Sequence, residues 1–283
     1  MDWLDDEVTR NLPQNAPILG ILHTITGTSS DYRGLMGFAA KRGWRSCVLN
    51  RRGHSGMTLR VIPHFSIMGN VDDTKMMVDQ IKQHFPNNFV GLVGLSAGSG
   101  QVGSYIGQEG DKVKVNAAAS IGPAWDISIS CKYLQQKFPI FDKFITKKVK
   151  EHFLAPSRNQ PALLSMSEVV NKSWTARNLE EWMDFAAPLA GCENLEHFYE
   201  ENNPMRFCQG NKIPCLVLNA LDDPICPKEC IRYDLICQWM NYILKTTERG
   251  SHVAYNEGWF GQGNYMYRLT LDFFEAVMEE SIT

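Results

Sequence analysis

The chain has 283 residues, of which 44% are hydrophobic and 21% charged, and its formal net charge is −3. This length fits one large domain or one domain with an insertion, and the composition is that of a globular protein rather than a disordered one. The charge, with Lys and Arg spread along the chain, excludes the electrostatic footprint of a nucleic-acid binder.

No apolar run reaches the ~18 residues of a membrane span, and no basic-then-apolar leader opens the chain. The expected location is cytoplasmic, or peripheral to a cytosol-facing membrane, and no obligate protein partner is indicated. Eight cysteines are scattered singly without a C-x-x-C pair. Cys226 and Cys230 lie one helical turn apart with no further ligand at metal-binding spacing, so the cysteines read as reduced, small core residues.

In chain order, Pro17 to His23 is a short apolar run that predicts a buried strand. Asp31 to Arg42 has helical spacing, and Arg45 to Asn50 predicts a second strand. Asp72 to Phe85 predicts an amphipathic helix with Met76, Met77, Ile81 and Phe85 on its apolar side, stopped by Pro86. Phe89 to Leu95 predicts a third strand, Ala97 to Ile106 a small-residue helix, and Lys114 to Ile121 a fourth strand. Apolar strands alternating with helices imply a mostly parallel sheet covered on both faces.

The rhythm breaks after Gly122-Pro123. About ninety residues separate it from the next strand, Pro214 to Asn219, where a strand-helix-strand crossover needs only ~30 in total. The stretch is rich in Trp, Phe, Met and Leu, which predicts a folded helical lid at 123–212 between two parts of the core, 1–122 and 213–283. A helix around Lys228 to Leu235, a strand at Tyr242 to Thr247 and a closing helix from Tyr265 to Glu280 complete the expected fold.

Gly94-Leu95-Ser96-Ala97-Gly98 fits the G-x-S-x-G elbow, with an apolar strand entering and a small-residue helix leaving, as that turn requires. The pattern makes Ser96 the candidate nucleophile, and the Ala97 N–H at the helix N-terminus one oxyanion donor. A serine hydroxyl needs a base, and the base needs a carboxylate. In this fold the order is Ser, acid, His. His252 follows the last core strand, whereas His152 and His197 fall in the lid. Asp223, just past the strand ending at Asn219, is the preferred acid over its neighbour Asp222 and over Asp126. The second oxyanion donor is expected from the loop after the first strand, at Ile25 or Thr24. His23 reads as a loop-packing residue, and Arg51-Arg52-Gly53-His54 as a tight loop rimming the site.

These motifs resemble one branch of the α/β-hydrolases: the mammalian α/β-hydrolase-domain lipases and phospholipases, the yeast medium-chain ester synthase/esterases and the plant embryogenesis-associated proteins. The likeness runs through Asp2-Trp3, His23 to Gly27, Asn50 to Gly53, Gly94 to Gly98, Leu179 to Asp184, Gly191 to Tyr199, Asn219 to Pro224 and Gly250 to Val253. It implies the α/β-hydrolase fold with a lid, and the triad Ser96, Asp223 and His252. Two departures stand out. The family's usual His-Gly is His23-Thr24 here. Family members also carry a longer N-terminal region, so an edge strand and an anchor are expected to be missing before Asp2.

The resulting expectation is a hydrolase of lipid-like carboxylic esters that needs no metal or organic cofactor. The lid's aromatic and Met content suggests a pocket for an acyl chain. Acyl transfer to an alcohol by the same machinery, and a non-catalytic binding role, are the alternatives.

Overall fold

The continuously apolar runs become strands that are buried on both faces. The computed structural model describes residues 1–155, 160–203 and 206–281. Strands β2 (Ile18–Leu22), β4 (Val90–Leu95), β5 (Ala117–Ile121) and β6 (Cys215–Ala220) are wholly buried, and β3 (Arg45–Leu49) is buried except at Arg45. With β1 (Asp2–Trp3) and β7 (Tyr242–Thr247) they form a seven-stranded sheet in the order β1-β3-β2-β4-β5-β6-β7. Every pairing is parallel except β1 with β3. At one edge of the sheet, Asp2 and Trp3 run antiparallel to β3.

Helices cover both faces. On one, α2 (Arg33–Lys41) and α11 (Tyr265–Glu280) press Leu35, Met36, Leu271 and Phe274 against Leu19, Ile21 and Val93. On the other, α3 (Asp72–His84) and α4 (Ala97–Glu109) press Val78, Ile81, Val102 and Ile106 against Ile18, Leu22 and Leu92. The apolar side of α3 differs from the expected one. Thr74, Met77, Val78 and Ile81 are buried, at spacings of three, four and seven, while Met76 is 56% exposed. A strip of that spacing is what a 3.6-residue period lays on one face, and Met76 falls outside it.

A short capped helix, α1 (Glu7–Arg10), precedes β2. Between β5 and β6 come α5 (Ile127–Lys137), α6 (Pro139–Leu154), α7 (Ser167–Trp174), α8 (Leu179–Ala186) and α9 (Leu195–Asn202). Their starts are locally encoded. Pro139 opens α6, Asn178 accepts from Glu181 N–H at 2.8 Å, and Asn194 accepts from His197 N–H at 2.9 Å. These helices share a hydrophobic cluster in which Phe153 stacks on Trp182 at 5.5 Å, joined by Leu59, Phe65 and Met68 from the loop after β3. Residues 156–159 and 204–205 of the expected 123–212 segment lie outside the described residues.

The helix expected around Lys228 to Leu235 is instead a 3-10 turn at Lys228–Cys230 and a single turn, α10 (Tyr233–Ile236). A two-residue hairpin, β8 (Asn256–Glu257) with β9 (Gly263–Asn264), precedes α11 and had no signal in the periodicity. Seven of the cysteines are buried as expected, but Cys237 is exposed because it follows α10 on the surface. Among the described residues, no helix is long and apolar enough to cross a membrane.

Candidate active site

Parallel strands end at one edge of the sheet, and the loops leaving β2, β4, β6 and β7 at that edge converge on Ser96. Such C-terminal edges are where open α/β sheets hold their ligands. Ser96 sits between β4 and α4 with φ 54° and ψ −117°. This is a conformation that L-residues avoid, and it is sustained only where the surroundings enforce it. The enforcement comes from backbone crowding. A Cβ on Gly94 would lie 2.1 Å from Gly98 O, and one on Gly98 would lie 2.1 Å from Leu22 O. Both positions therefore require glycine, and the turn lifts the Ser96 side chain out of the sheet.

The Ser96 hydroxyl donates to His252 Nε2 at 2.7 Å, and His252 Nδ1–H donates to Asp223 Oδ2 at 2.8 Å. Asp223 is 3% exposed. Its other oxygen accepts from Ile225 N–H at 2.8 Å and Cys226 N–H at 2.9 Å. The carboxylate is thus fixed by its own turn before it meets the imidazole, and its acceptor role sets the histidine tautomer.

The structure separates the rival acids. Asp222 turns the other way and accepts from Ser251 N–H at 2.8 Å, tethering the loop that carries His252. Asp126 is the N-cap of α5, accepting from Ile129 N–H at 3.1 Å. Each therefore has a different partner, and only Asp223 reaches the imidazole.

Asp223, Cys226 and His252 also place ligand-type atoms within 4.8 Å of one another. They do not suit a metal. Both carboxylate oxygens already accept hydrogen bonds. Burial pushes the Cys226 thiol well above its ordinary pKa, keeping it protonated, and it donates to Gly122 O at 3.3 Å.

Of the two residues expected to supply the second oxyanion donor, Thr24 has its N–H engaged, donating to Tyr32 Oη at 2.7 Å. Ile25 lines a cavity together with Ser96 and Ala97. This cavity holds about 700 Å3 of empty space including its mouth, and its other walls include Met68, Ile127, Leu134, Ile145, Met183 and Ile225. The insertion helices α5, α6 and α8 supply four of those six. The walls are aliphatic rather than aromatic. Phe153, Trp182 and Phe198 are spent on the core of the insertion, which corrects the expectation of an aromatic-lined cover.

The segment Arg51 to His54 is also unlike its expected role. Arg51 and His54 are fully buried rather than at the rim. Arg51 donates to Thr24 O at 3.0 Å and to Gln101 Oε1 at 3.2 Å. His152 Nε2–H donates to His54 Nδ1 at 2.9 Å, and His54 Nε2–H donates to Ser66 O at 3.0 Å. Sequence reading missed this cluster because Arg and His carry no periodicity signal. The one available cue was an arginine directly after a buried strand.

Residues 13–233 match the Hydrolase_4 family, described as serine aminopeptidase, S33. The chain is similar to Phospholipase ABHD3 of Bos taurus, with 25% identity over 288 residues, covering 99% of this chain and 69% of that protein. It is similar to Monoacylglycerol lipase of Saccharomyces cerevisiae at 26% over 293 residues, covering 98% of this chain and 63% of that one. Among solved structures, monoacylglycerol lipase of Paleococcus ferrophilus superposes with a TM-score of 0.54 at 15% identity, covering 93% and 96% of the two chains. That likeness carries the fold.

Proposed function

The chain belongs to the Hydrolase_4 family, serine aminopeptidase, S33, and on that premise we propose a carboxylic-ester hydrolase that acts on medium-chain acyl esters through Ser96, His252 and Asp223. It is a lipase/esterase-type hydrolase by its relatives. The observation that carries the finer reading is the unbroken hydrogen-bonded line from Ser96 Oγ through His252 to Asp223, opening into an aliphatic cavity.

Ser96 Oγ attacks the ester carbonyl carbon as its proton passes to His252 Nε2. The negative charge on the carbonyl oxygen is met by the N–H groups of Ala97 and Ile25. His252 then protonates the leaving alkoxide as its bond to carbon breaks, giving the free alcohol and an acyl-enzyme. Water, deprotonated by His252, releases the acid and restores Ser96. Asp223 holds the imidazole in the tautomer that both steps need.

The family description mentions a peptidase, but the cavity favours an acyl chain. Binding a peptide's ammonium terminus calls for a carboxylate in the wall, and among the described residues the lining side chains include none. An aliphatic wall suits a hydrocarbon tail, and the helices at 123–212 act as its lid. The relatives named for phospholipase and monoacylglycerol lipase activity agree with a lipid-like ester. Another is named a medium-chain fatty acid ethyl ester synthase/esterase, so acyl transfer to an alcohol in place of water stays as the second reading. Turnover of nitrophenyl and monoacylglycerol esters of graded chain length, with product acids and esters both quantified, tests the two together.

A further inference from the structure

The peptide joining Thr24 to Ile25 is held from its buried side. Its carbonyl, Thr24 O, accepts from His23 Nδ1–H at 2.8 Å, from Arg51 Nη2 at 3.0 Å and from Gly27 N–H at 3.2 Å. A trans peptide directs N–H opposite to C=O, and the chain has no cis peptide among the described residues. Fixing Thr24 O toward Arg51 and His23 therefore aims Ile25 N–H the other way, and Ile25 lies on the cavity side beside Ser96 and Ala97. Among the described residues Ile25 N–H has no hydrogen-bond acceptor of its own, as a donor reserved for a ligand requires.

From this geometry we infer that Arg51 and His23 are positioning residues for the second oxyanion donor, orienting and polarising the Thr24–Ile25 peptide from behind. The inference rests on the reading of Ser96 as nucleophile and adds residues that touch no substrate.

The cluster is built as such a device needs. Arg51 is fully buried, and its Nε is left without a partner. No carboxylate hydrogen-bonds to it among the described residues. Burial lowers its pKa to about 9, which still leaves it cationic at neutral pH. Burial and the Arg51 charge together hold His23 and His54 well below the usual imidazole range, and His152 at about 4. Arg51 is therefore the positive charge behind the loop, with neutral imidazoles around it. Gln101 fixes the guanidinium from α4, the same helix whose N-terminus supplies Ala97 N–H, and it donates in turn to Ser66 Oγ at 3.0 Å. His23 Nε2 faces Arg51 N–H at 3.5 Å, consistent with the tautomer that donates from Nδ1. A guanidinium placed on a carbonyl oxygen strengthens the donor at the other end of the same peptide, in a site where water does not screen it. A buried charge without a carboxylate partner is costly to the fold, so a role outside stability accounts for its presence.

The test uses the full chain with Arg51→Met, Arg51→Lys and His23→Asn. Met keeps volume and removes charge and donors, Lys keeps the charge, and Asn keeps a donor near the Nδ1 position. For Arg51→Met, kcat on a nitrophenyl ester is expected to fall about 100-fold with KM little changed, the scale of losing one oxyanion donor. Affinity for a trifluoromethyl ketone, whose Ser96 adduct carries an oxyanion, is expected to fall by the same factor. Melting temperature is expected to hold or rise, and Arg51→Lys and His23→Asn to keep more activity than Arg51→Met. Folded variants with kcat within a few-fold of the parent would overturn the inference. So would a kcat loss with unchanged ketone affinity. If Arg51→Met does not fold, His23→Leu against His23→Asn makes the same comparison. A parent that neither turns over esters nor labels at Ser96 overturns the functional reading, and this inference with it.

Discussion

Asp222 and Asp223 are neighbours in sequence yet grip one loop from two sides. Asp222 accepts Ser251 N–H at 2.8 Å, and Asp223 accepts His252 Nδ1–H at 2.8 Å. The first bond places the backbone that the second bond uses. Under the proposed mechanism the two carboxylates then differ in kind: one holds a loop, the other holds a tautomer.

That difference is measurable. Asp223→Asn replaces an acceptor with a group that can donate, which favours the wrong imidazole tautomer, so kcat is expected to fall by about four orders of magnitude. Asp222→Asn keeps an acceptor oxygen for Ser251 N–H and is expected to cost about tenfold or less, an upper limit set by one weakened loop bond of up to ~1.5 kcal/mol. Asp126→Asn keeps a good N-cap and is expected to leave turnover near the parent value. Steady-state kinetics of the three variants check the assignment, and a larger loss at Asp222 than at Asp223 would reverse it.

Under the proposed function, the aliphatic cavity beside Ser96 predicts a chain-length profile. Each methylene buried against Met68, Leu134, Ile145 and Met183 contributes up to ~0.8 kcal/mol, several-fold in kcat/KM, until the space is full. Monomeric nitrophenyl esters are expected to show a medium-chain optimum. Ile145→Phe, which adds bulk at the wall, is expected to move that optimum toward shorter chains. A profile that peaks at acetate and falls with every carbon would leave the cavity without this role.

The buried histidines predict loss of stability in mild acid. His152 is held at about 4 in the folded chain by burial and the Arg51 charge, and the same two causes hold His23 and His54 well below the usual imidazole range. Their unfolded forms titrate near 6.5. Above that pH they are neutral in both states and cost nothing. As pH falls from 6.5 toward 4 the unfolded chain takes up protons that the folded chain refuses, so stability drops. Melting temperature is expected to decline across this window. His152→Gln, which retains a donor toward His54 without titrating, is expected to flatten part of the slope. An unchanged slope in that variant would assign the acid sensitivity to other groups.

Much of this was legible in the sequence for physical reasons. Strands buried on both faces write continuous apolar runs, so β2 to β6 could be placed to within a few residues. The elbow was readable because backbone crowding at Gly94 and Gly98 admits no other residue. Other features left no local trace. The apolar side of α3 turned on whether Met76 or Val78 faces inward, which only the sheet beneath decides. The Arg51 cluster joins residues from the loops after β2 and β3, from α4 and from α6, and such a polar network has no spacing to read. The engagement of Thr24 N–H by Tyr32 is equally a matter of how one loop folds onto the next.

Under the proposed mechanism Ser96 carries the acyl group, and labelling with a fluorophosphonate followed by peptide mass spectrometry shows which residue is the nucleophile. One adduct per chain is expected, located on Ser96. In Ser96→Ala, with melting temperature near that of the parent, both the adduct and nearly all esterase activity are expected to be lost. An adduct on another residue, or full esterase activity in Ser96→Ala, would contradict it.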